Sequence, residues 1–589
     1  MPTSRSLSSL AVIAALTCSI FVFARPKEKD NKSEVKFTAR AELVLIPTLV
    51  TDKSGNHITG LKKEDFTVLE NGAEQKIATF EEITSDARRM SRPADLNEFT
   101  NSLGGEGSNR RVTLIVLDLI NTPFVAQAHA RQDLFKYLTQ SLDQHEPTAL
   151  YTLNRRGIQV IHDFTTDPRI LVAALHQVNG DASQMVDSPE DSQAMSAGLT
   201  TPDPGAGVPK DGGGGSKGDQ GSKGNSQTQS EADSLQKMMQ DSELNFRSFE
   251  QRLAITYTLE AMQQVAQALA GFPGRKSLIW ASGGFPFNVS DNSMHLAPAG
   301  RDSLADVLPL YEHTWQLLND AEISLYPVDV KGLQTLSVAP ASMRNGGGNP
   351  RNPSRNYGSR AMSREVDTQS TFQTFAAMTG GRAYYNSNDL VKGFRDAVSD
   401  SARYYMLGYY IDHSNTKAGW RRLAVKVNRD HTEVRARSGF FVTDATVDPE
   451  TSRNGDISSA LQSPLDFTSL TLVARWNKIE PAKDPGKKHV NYEMHLAPDP
   501  NLINDADNNH LVMDFVVLAK TPDGKAADHP MGQKVDVHLS PEKLSVIRQK
   551  GVAYGGALDL APGEYSVRFV VRDNLSGRIG SVAAPLRVE

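Results

Sequence analysis

Cysteine is nearly missing from this sequence. Cys18 is the single one among 589 residues, and it lies inside an N-terminal apolar segment. If that segment is removed on export, disulfides and thiolate chemistry are both excluded. A charge excess is missing too. The net charge is −6 over the full length, so no basic field marks a nucleic-acid binder. Enzyme signatures are also lacking. There is no H-E-x-x-H and no G-x-S-x-G; Trp280-Ala281-Ser282-Gly283-Gly284 lacks the first glycine of a nucleophile elbow. Gly271–Ser277 ends like a phosphate loop, but it precedes a strand and its spacing is wrong. Its expected job is to end one helix and enter the sheet. The histidines His129, His162, His313, His413 and His431 stand singly, as surface or capping residues do. The chain is therefore expected not to be an enzyme.

At the N-terminus, Arg5 supplies a small positive region and Leu10–Phe23 an apolar one. Val22-Phe23-Ala24 fits a cleavage site, so residues 1–24 read as a signal peptide. The apolar core is short and soon followed by Arg25, Lys27, Glu28, Lys29 and Asp30, which disfavours a membrane span. An uncleaved anchor is the alternative, and a membrane enters only in that case. Lipid attachment at Cys18 is disfavoured because Ala15-Leu16-Thr17 is a poor lipobox. The expected location is exported: periplasmic, envelope-associated or extracellular.

Residues 35–82 carry strand patterns, with Asn71-Gly72 as a hairpin turn. They are too few to bury a core alone. Residues 84–109 are polar and rich in Gly and Ser, and read as a linker. At Arg111–Asp118 a two-sided apolar run predicts a strand buried on both faces. Thr122-Pro123 predicts a helix cap followed by proline at the first helical position. Strand and helix patterns then alternate to residue 401, through Thr148–Leu153, Ile158–Phe164, Lys276–Ala281 and Ile323–Val328. A long helix is predicted from Ser230 to Gly271, with Met238 and Met239 as core filling. Composition marks 181–230 as a disordered insertion and 338–366 as a mobile loop.

Strands return over 403–443, where Tyr404, Tyr405, Tyr409 and Tyr410 suit a sheet with one packed and one half-wet face. Short alternating strands over 460–589 predict an Ig-like β-sandwich. The segments 35–82 and 403–443 each lack enough strands. Together they are expected to form one β-sandwich, with the α/β block 110–401 inserted between them. That requires contacts between residues 42–50 or 66–80 and residues 404–441.

The α/β block resembles a von Willebrand factor A domain in its strand order, first-strand Asp and capped first helix. Four stretches extend the resemblance: VTDKSGNHITGLKKEDFTVLENGAEQKIATFEE at 50–82, VLDLINTPF at 116–124, GRKSLIWASGGFPF at 274–287, and RYYMLGYY with VRARSGFF within 403–441. Together these are similar to the acidobacterial family of secreted VWFA-related proteins. The resemblance implies a doubly wound A-like domain.

It also implies a metal-ion-dependent adhesion site, which uses D-x-S-x-S, a later Thr and a second Asp. Mg²⁺ would need about six oxygens there. Asp118 and Thr122 match two positions. Ile120 replaces the first Ser and cannot ligate, Asn121 offers a neighbouring oxygen, and Ser282 stands for the second Asp. The implied Mg²⁺ site is thus degenerate, with Asp118, Asn121, Thr122 and Ser282 as its candidate ligands. The alternative is that Asp118 accepts hydrogen bonds from Thr122 and nearby backbone amides, fixing the loop. Asp329, also at a strand end, suits a turn.

These readings lead to a non-catalytic exported module that binds a protein or cell-surface ligand. The alternatives are a structural component of envelope assembly, or a hydrolase with an unrecognised site.

Overall fold

The computed structural model describes residues 41–84, 97–102, 111–142, 147–178, 226–286, 288–289, 296–297, 307–332, 368–387, 389–412, 419–442, 449–503, 507 and 509–589. The expected signal peptide, nearly all of the expected 181–230 insertion, and the expected 338–366 loop fall outside them. The described residues form a mixed α/β protein with more strand than helix and several antiparallel sheets. Among them, no helix is long and apolar enough to cross a membrane.

The chain begins with β1 (Ala41–Asp52), β2 (Phe66–Glu70), β3 (Ala73–Gln75) and β4 (Thr79–Thr84). Asn71 and Gly72, both at positive φ, turn β2 into β3. Next comes β5 (Glu98–Thr100), inside the stretch expected to be a linker. That expectation is corrected. Three residues are too short for alternation to register, and the segment is held by side chains. Asn101 donates to the carbonyls of Phe467 and Leu470 and accepts from the Leu472 amide.

The α/β part follows: β6 (Val112–Asp118), α1 (Phe124–Gln140), β7 (Thr148–Asn154), β8 (Gly157–Thr165), α2 (Pro168–Gln177) and α3 (Ser226–Leu269). Then come β9 (Lys276–Ser282), the two-residue strands β10 (Asn288–Val289) and β11 (Leu296–Ala297), and α4 (Leu308–Asp320). The part ends with β12 (Ile323–Asp329), a helix α5 over 368–379, and α6 (Leu390–Ser399). The main sheet has the order β12-β9-β6-β7-β8. It is parallel from β12 to β7, with β8 antiparallel at one edge.

Both faces are covered, which is why β6, β9 and β12 are buried at every residue. One face packs Trp280 and Leu278 against Ile255, Met262, Trp315 and Phe375 from α3, α4 and α5. The other packs Ile115 and Ile279 against Leu134, Leu171 and Phe394 from α1, α2 and α6. The short strand expected at Arg382–Tyr385 is only a single bridge from Tyr384 to Val328.

The chain then returns to its beginning with β13 (Arg403–Asp412), β14 (Gly419–Val427), β15 (Thr432–Arg435) and β16 (Gly439–Val442). β13 lies between β1 and β4, with Leu45 opposite Gly408 and Phe80 opposite Leu407. β14 pairs with β2, Val425 opposite Val68. The sheets β15-β1-β13-β4 and β16-β14-β2-β3 share a core of Ile46, Val68, Tyr405, Leu407 and Leu423. Both halves of this core come from opposite sides of the α/β insertion in sequence. The Tyr expectation needs correction. Tyr404, Tyr405 and Tyr409 are all buried, and only Tyr410 is exposed. The Tyr404 face is covered because its hydroxyl accepts the Arg275 amide at the α/β part.

A helix that the sequence did not reveal, α7 (Pro449–Gln462), leads to the last unit. This unit contains β17 (Leu472–Pro481), β18 (Lys488–Leu496), β19 (His510–Lys520) and β20 (Met531–His538). It closes with α8 (Pro541–Lys550), β21 (Val552–Leu560), β22 (Gly563–Asp573) and β23 (Ile579–Val588). Two sheets, β21-β18-β17-β5 and β20-β19-β22-β23, face each other over Met494, Met513, Phe515 and Phe569. β5 completes the first by pairing with β17, Thr100 opposite Val473.

Candidate functional site

The carboxyl ends of β6, β9 and β12 lie side by side. Asp118 ends β6, Ser282 ends β9, and Asp329 is in register with Ser282. Open α/β sheets bind ligands at such an edge. Asp118, Asn121, Thr122 and Ser282 are all buried here.

Asp118 is saturated with donors. Its Oδ1 accepts the Asn121 backbone N–H at 3.0 Å. Its Oδ2 accepts the Asn121 side-chain amide at 2.8 Å, the Trp280 indole at 3.0 Å and the Ser282 hydroxyl at 2.9 Å. Burial pushes the Asp118 carboxyl above the usual carboxylate range, and these bonds oppose the shift. The Asn121 amide also donates to Thr258 Oγ1 on α3, whose own proton goes to the Ala254 carbonyl.

Thr122 does a different job from either one expected of it. Its hydroxyl accepts the Gly283 N–H at 2.9 Å instead of capping α1 or reaching Asp118. The N-cap is Pro123, with no side-chain bond. Gln127 closes the turn by donating to the carbonyls of Leu119 and Thr122. Gly283 is required by closeness: a Cβ there would stand 2.9 Å from Pro123 Cδ and 3.0 Å from Asn121 O. Asp329 forms a turn by accepting the Lys331 amide.

The residues do not fit a hard divalent cation. Mg²⁺ needs inward oxygens with free lone pairs. Here three N–H donors and a hydroxyl already engage the Asp118 carboxylate. Asn121 turns its nitrogen, not its oxygen, toward Asp118. The Ser282 hydroxyl is shared between Asp118 and the Gly284 carbonyl. Among the described residues no cluster of three His, Cys, Asp or Glu has metal-site geometry. The partners that sequence reading missed are Trp280 and Thr258. An indole in a buried strand is the one signal that pointed to the first, because buried indoles need an acceptor.

Immediately outside this latch the surface turns apolar. Phe124 and Val125, in the first turn of α1, are 57% and 69% exposed. A second concavity, of about 1640 Å³, opens where α3, α4, α7 and the last unit meet. Its walls are tied by charge pairs, Arg572 to Asp456 at 2.8 Å and Arg453 to Asp514 at 2.7 Å. His313 and Glu260 are solvent-accessible within it yet walled by protein. Burial pulls the His313 pKa down and the Glu260 pKa up. Arg344, Arg351, Arg355 and Arg360, in the 338–366 stretch, lie outside the described residues.

No family model matches the chain, and no curated protein matches it. Among solved structures, the chain is similar to a crystal structure of a provisionally assigned beta-galactosidase from Bacteroides fragilis. The identity is 11% and the TM-score 0.15, over 32% of this chain and 24% of that one. The chain thus spans about a quarter of that protein, and at this TM-score the likeness carries no argument.

Proposed function

We propose that this chain is an exported, non-catalytic binding module of the VWFA-related kind. On this reading, a von Willebrand A-like domain interrupts one β-sandwich and an Ig-like sandwich follows. The A-like domain binds a protein or cell-surface ligand at the carboxyl edge of its sheet, without Mg²⁺. One observation carries the reading: Phe124 and Val125 stand exposed in the first turn of α1, directly after a loop whose polar groups are locked by Asp118 and Thr122. A helix start that is held rigidly and presents apolar side chains loses little entropy on binding, which favours a protein ligand. The saturated Asp118 serves as the latch that holds this edge in shape.

The test is binding of the purified chain to envelope extract, with Phe124→Asp/Val125→Asp as the surface variant. Retention by wild type and loss by the variant, unchanged by chelator, supports the reading. Equal retention of both forms excludes this edge.

A further inference from the structure

We propose that a crevice at the amino end of the central sheet binds a free α-amino acid with an apolar side chain. The crevice has a volume of about 200 Å³ and lies between the end of α4 and the strands β1 and β16. Glu322, on its wall, immediately precedes β12, so the crevice is at the opposite end of the sheet from Asp118. Two parts of the molecule build it: α4 belongs to the α/β part, and β1 and β16 belong to the first sandwich.

The polar groups of the wall carry both signs. Asn319, in the last turn of α4, is only 7% exposed, and its Nδ2 is buried without a hydrogen-bond partner among the described residues. Glu322 Oε2 is buried and unpartnered in the same way. Glu322 attracts the Lys276 ammonium only through space; that group donates to the Ala321 carbonyl at 2.7 Å. Arg437 is 8% exposed, with its guanidinium carbon 5.5 Å from the centre of the Phe440 ring. A buried polar atom without a partner destabilises the fold by more than a typical hydrogen bond contributes. Here one such donor and one such acceptor belong to residues that line a single crevice.

The backbone holds Glu322 there under strain. It follows the Ala321 cap of α4 at φ 51°, a left-handed position that usually falls to glycine. Its amide returns to the Asn319 carbonyl at 3.1 Å, which keeps the two residues together at the helix end. Glycine would relieve the strain and remove the carboxylate. Strained residues of this kind concentrate at ligand sites.

The chemistry of the wall selects the ligand. A lone anion is attracted by Arg437 and repelled by Glu322 and Asp320; a lone cation meets the reverse. A small zwitterion satisfies both signs. Its carboxylate accepts from Asn319 and Arg437, and its ammonium donates to Glu322. A free amino acid carries both charges on one carbon, whereas a peptide end carries one of them. Leu43, Leu45 and Phe440 give the rest of the wall an apolar surface for the side chain. Leu43–Leu45 pair with β13 alone, because β15 joins β1 only from Leu49, and β16 pairs with β14 alone. Among the described residues each segment thus keeps one backbone edge unpaired, a further source of N–H and C=O groups. The size agrees. A cavity of roughly 150 Å³ holds benzene, so about 200 Å³ suits one amino acid.

Calorimetric titration of the full chain with L-valine and L-leucine tests this. The expected result is one-to-one binding, with N-acetyl-leucine amide, which lacks both charges, at least roughly tenfold weaker. Two variants separate the charges. Glu322→Gln should weaken L-leucine roughly tenfold without weakening 4-methylpentanoate, which is leucine without its ammonium. Retained 4-methylpentanoate binding also shows that this variant is folded. Asn319→Leu should weaken both compounds. Because two parts of the molecule build the site, L-leucine should raise the melting temperature of wild type more than that of either variant. No heat from either amino acid, which leaves the crevice to water, overturns the proposal. So does equal binding of N-acetyl-leucine amide, or L-leucine binding that either variant leaves intact.

Discussion

At the carboxyl end of the central sheet, buried Asp118 meets four hydrogen bonds from three side chains and one backbone amide. At the amino end, equally buried Lys276 meets the Ala321 carbonyl at 2.7 Å. Burial pulls the Lys276 pKa down to about 8, with Glu322 opposing. The same sheet therefore buries two ionisable groups with very different compensation. The carboxyl end is a built latch, and its removal strands other polar groups. The amino end joins the α/β part to its neighbours, and its lysine is tolerated at a cost. Burial of an ionisable group alone does not mark function; what its partners are free to do does.

The largest loss of stability is expected from Asp118→Ala. This change leaves the Trp280 indole and the Asn121 amide buried without their acceptor. We expect a loss of roughly 3–5 kcal/mol, read by calorimetric melting. Asp118→Asn should also destabilise, because its amide presents donors to donors. A loss below about 1 kcal/mol in both variants would mean that the latch does not hold the edge.

Next is Gly271→Ala, at the turn from α3 into β9. A Cβ there would lie 1.9 Å from the Thr468 carbonyl oxygen. Thr468 also receives the Gly271 amide and donates to the Ala268 carbonyl, so this contact joins the last unit to the α/β part. Overpacking is expected to cost roughly 1–3 kcal/mol and to speed hydrogen exchange at the Thr468 amide.

Lys276→Met should move stability the other way, by roughly 1–3 kcal/mol at pH 7, by removing a buried cation. In the wild type, folded Lys276 releases its proton near pH 8, whereas the unfolded side chain keeps it to about 10.5. Between these values the unfolded state binds more protons, so stability rises with pH. The rise is roughly 3 kcal/mol if the shift is full. Denaturant titrations at pH 7.5 and 10 should show it in wild type and not in Lys276→Met. The smallest effect on stability is expected from Phe124→Asp/Val125→Asp, within about 0.5 kcal/mol, because both side chains face water.

Much of the central sheet was legible because its strands are apolar on both faces, as at Val112–Leu117 and Leu278–Ala281. The position of Asp118 at a strand end followed from the same pattern. Its partners did not. Trp280 and Thr258 reach this loop from more than a hundred residues away, through pairings that periodicity does not encode. Thr122-Pro123 read as a helix cap because local propensity cannot foresee a competing donor, and Gly283 supplied one. β5 was hidden by its length and by Asn101, whose amide substitutes for a longer ladder. Met238 and Met239, expected to fill the core, are 72% and 66% exposed, because apolar spacing alone does not tell which face of α3 the core covers.

Asp118 is a donor-saturated latch, and we propose that the edge beside it binds its ligand without a metal. Calorimetric titration of the full chain with Mg²⁺, Mn²⁺ and Ca²⁺ tests it most directly, with wild type and Asp118→Ala in parallel. The account predicts no saturable heat from either protein with any of the three ions. A one-to-one isotherm in wild type that disappears in Asp118→Ala would contradict it.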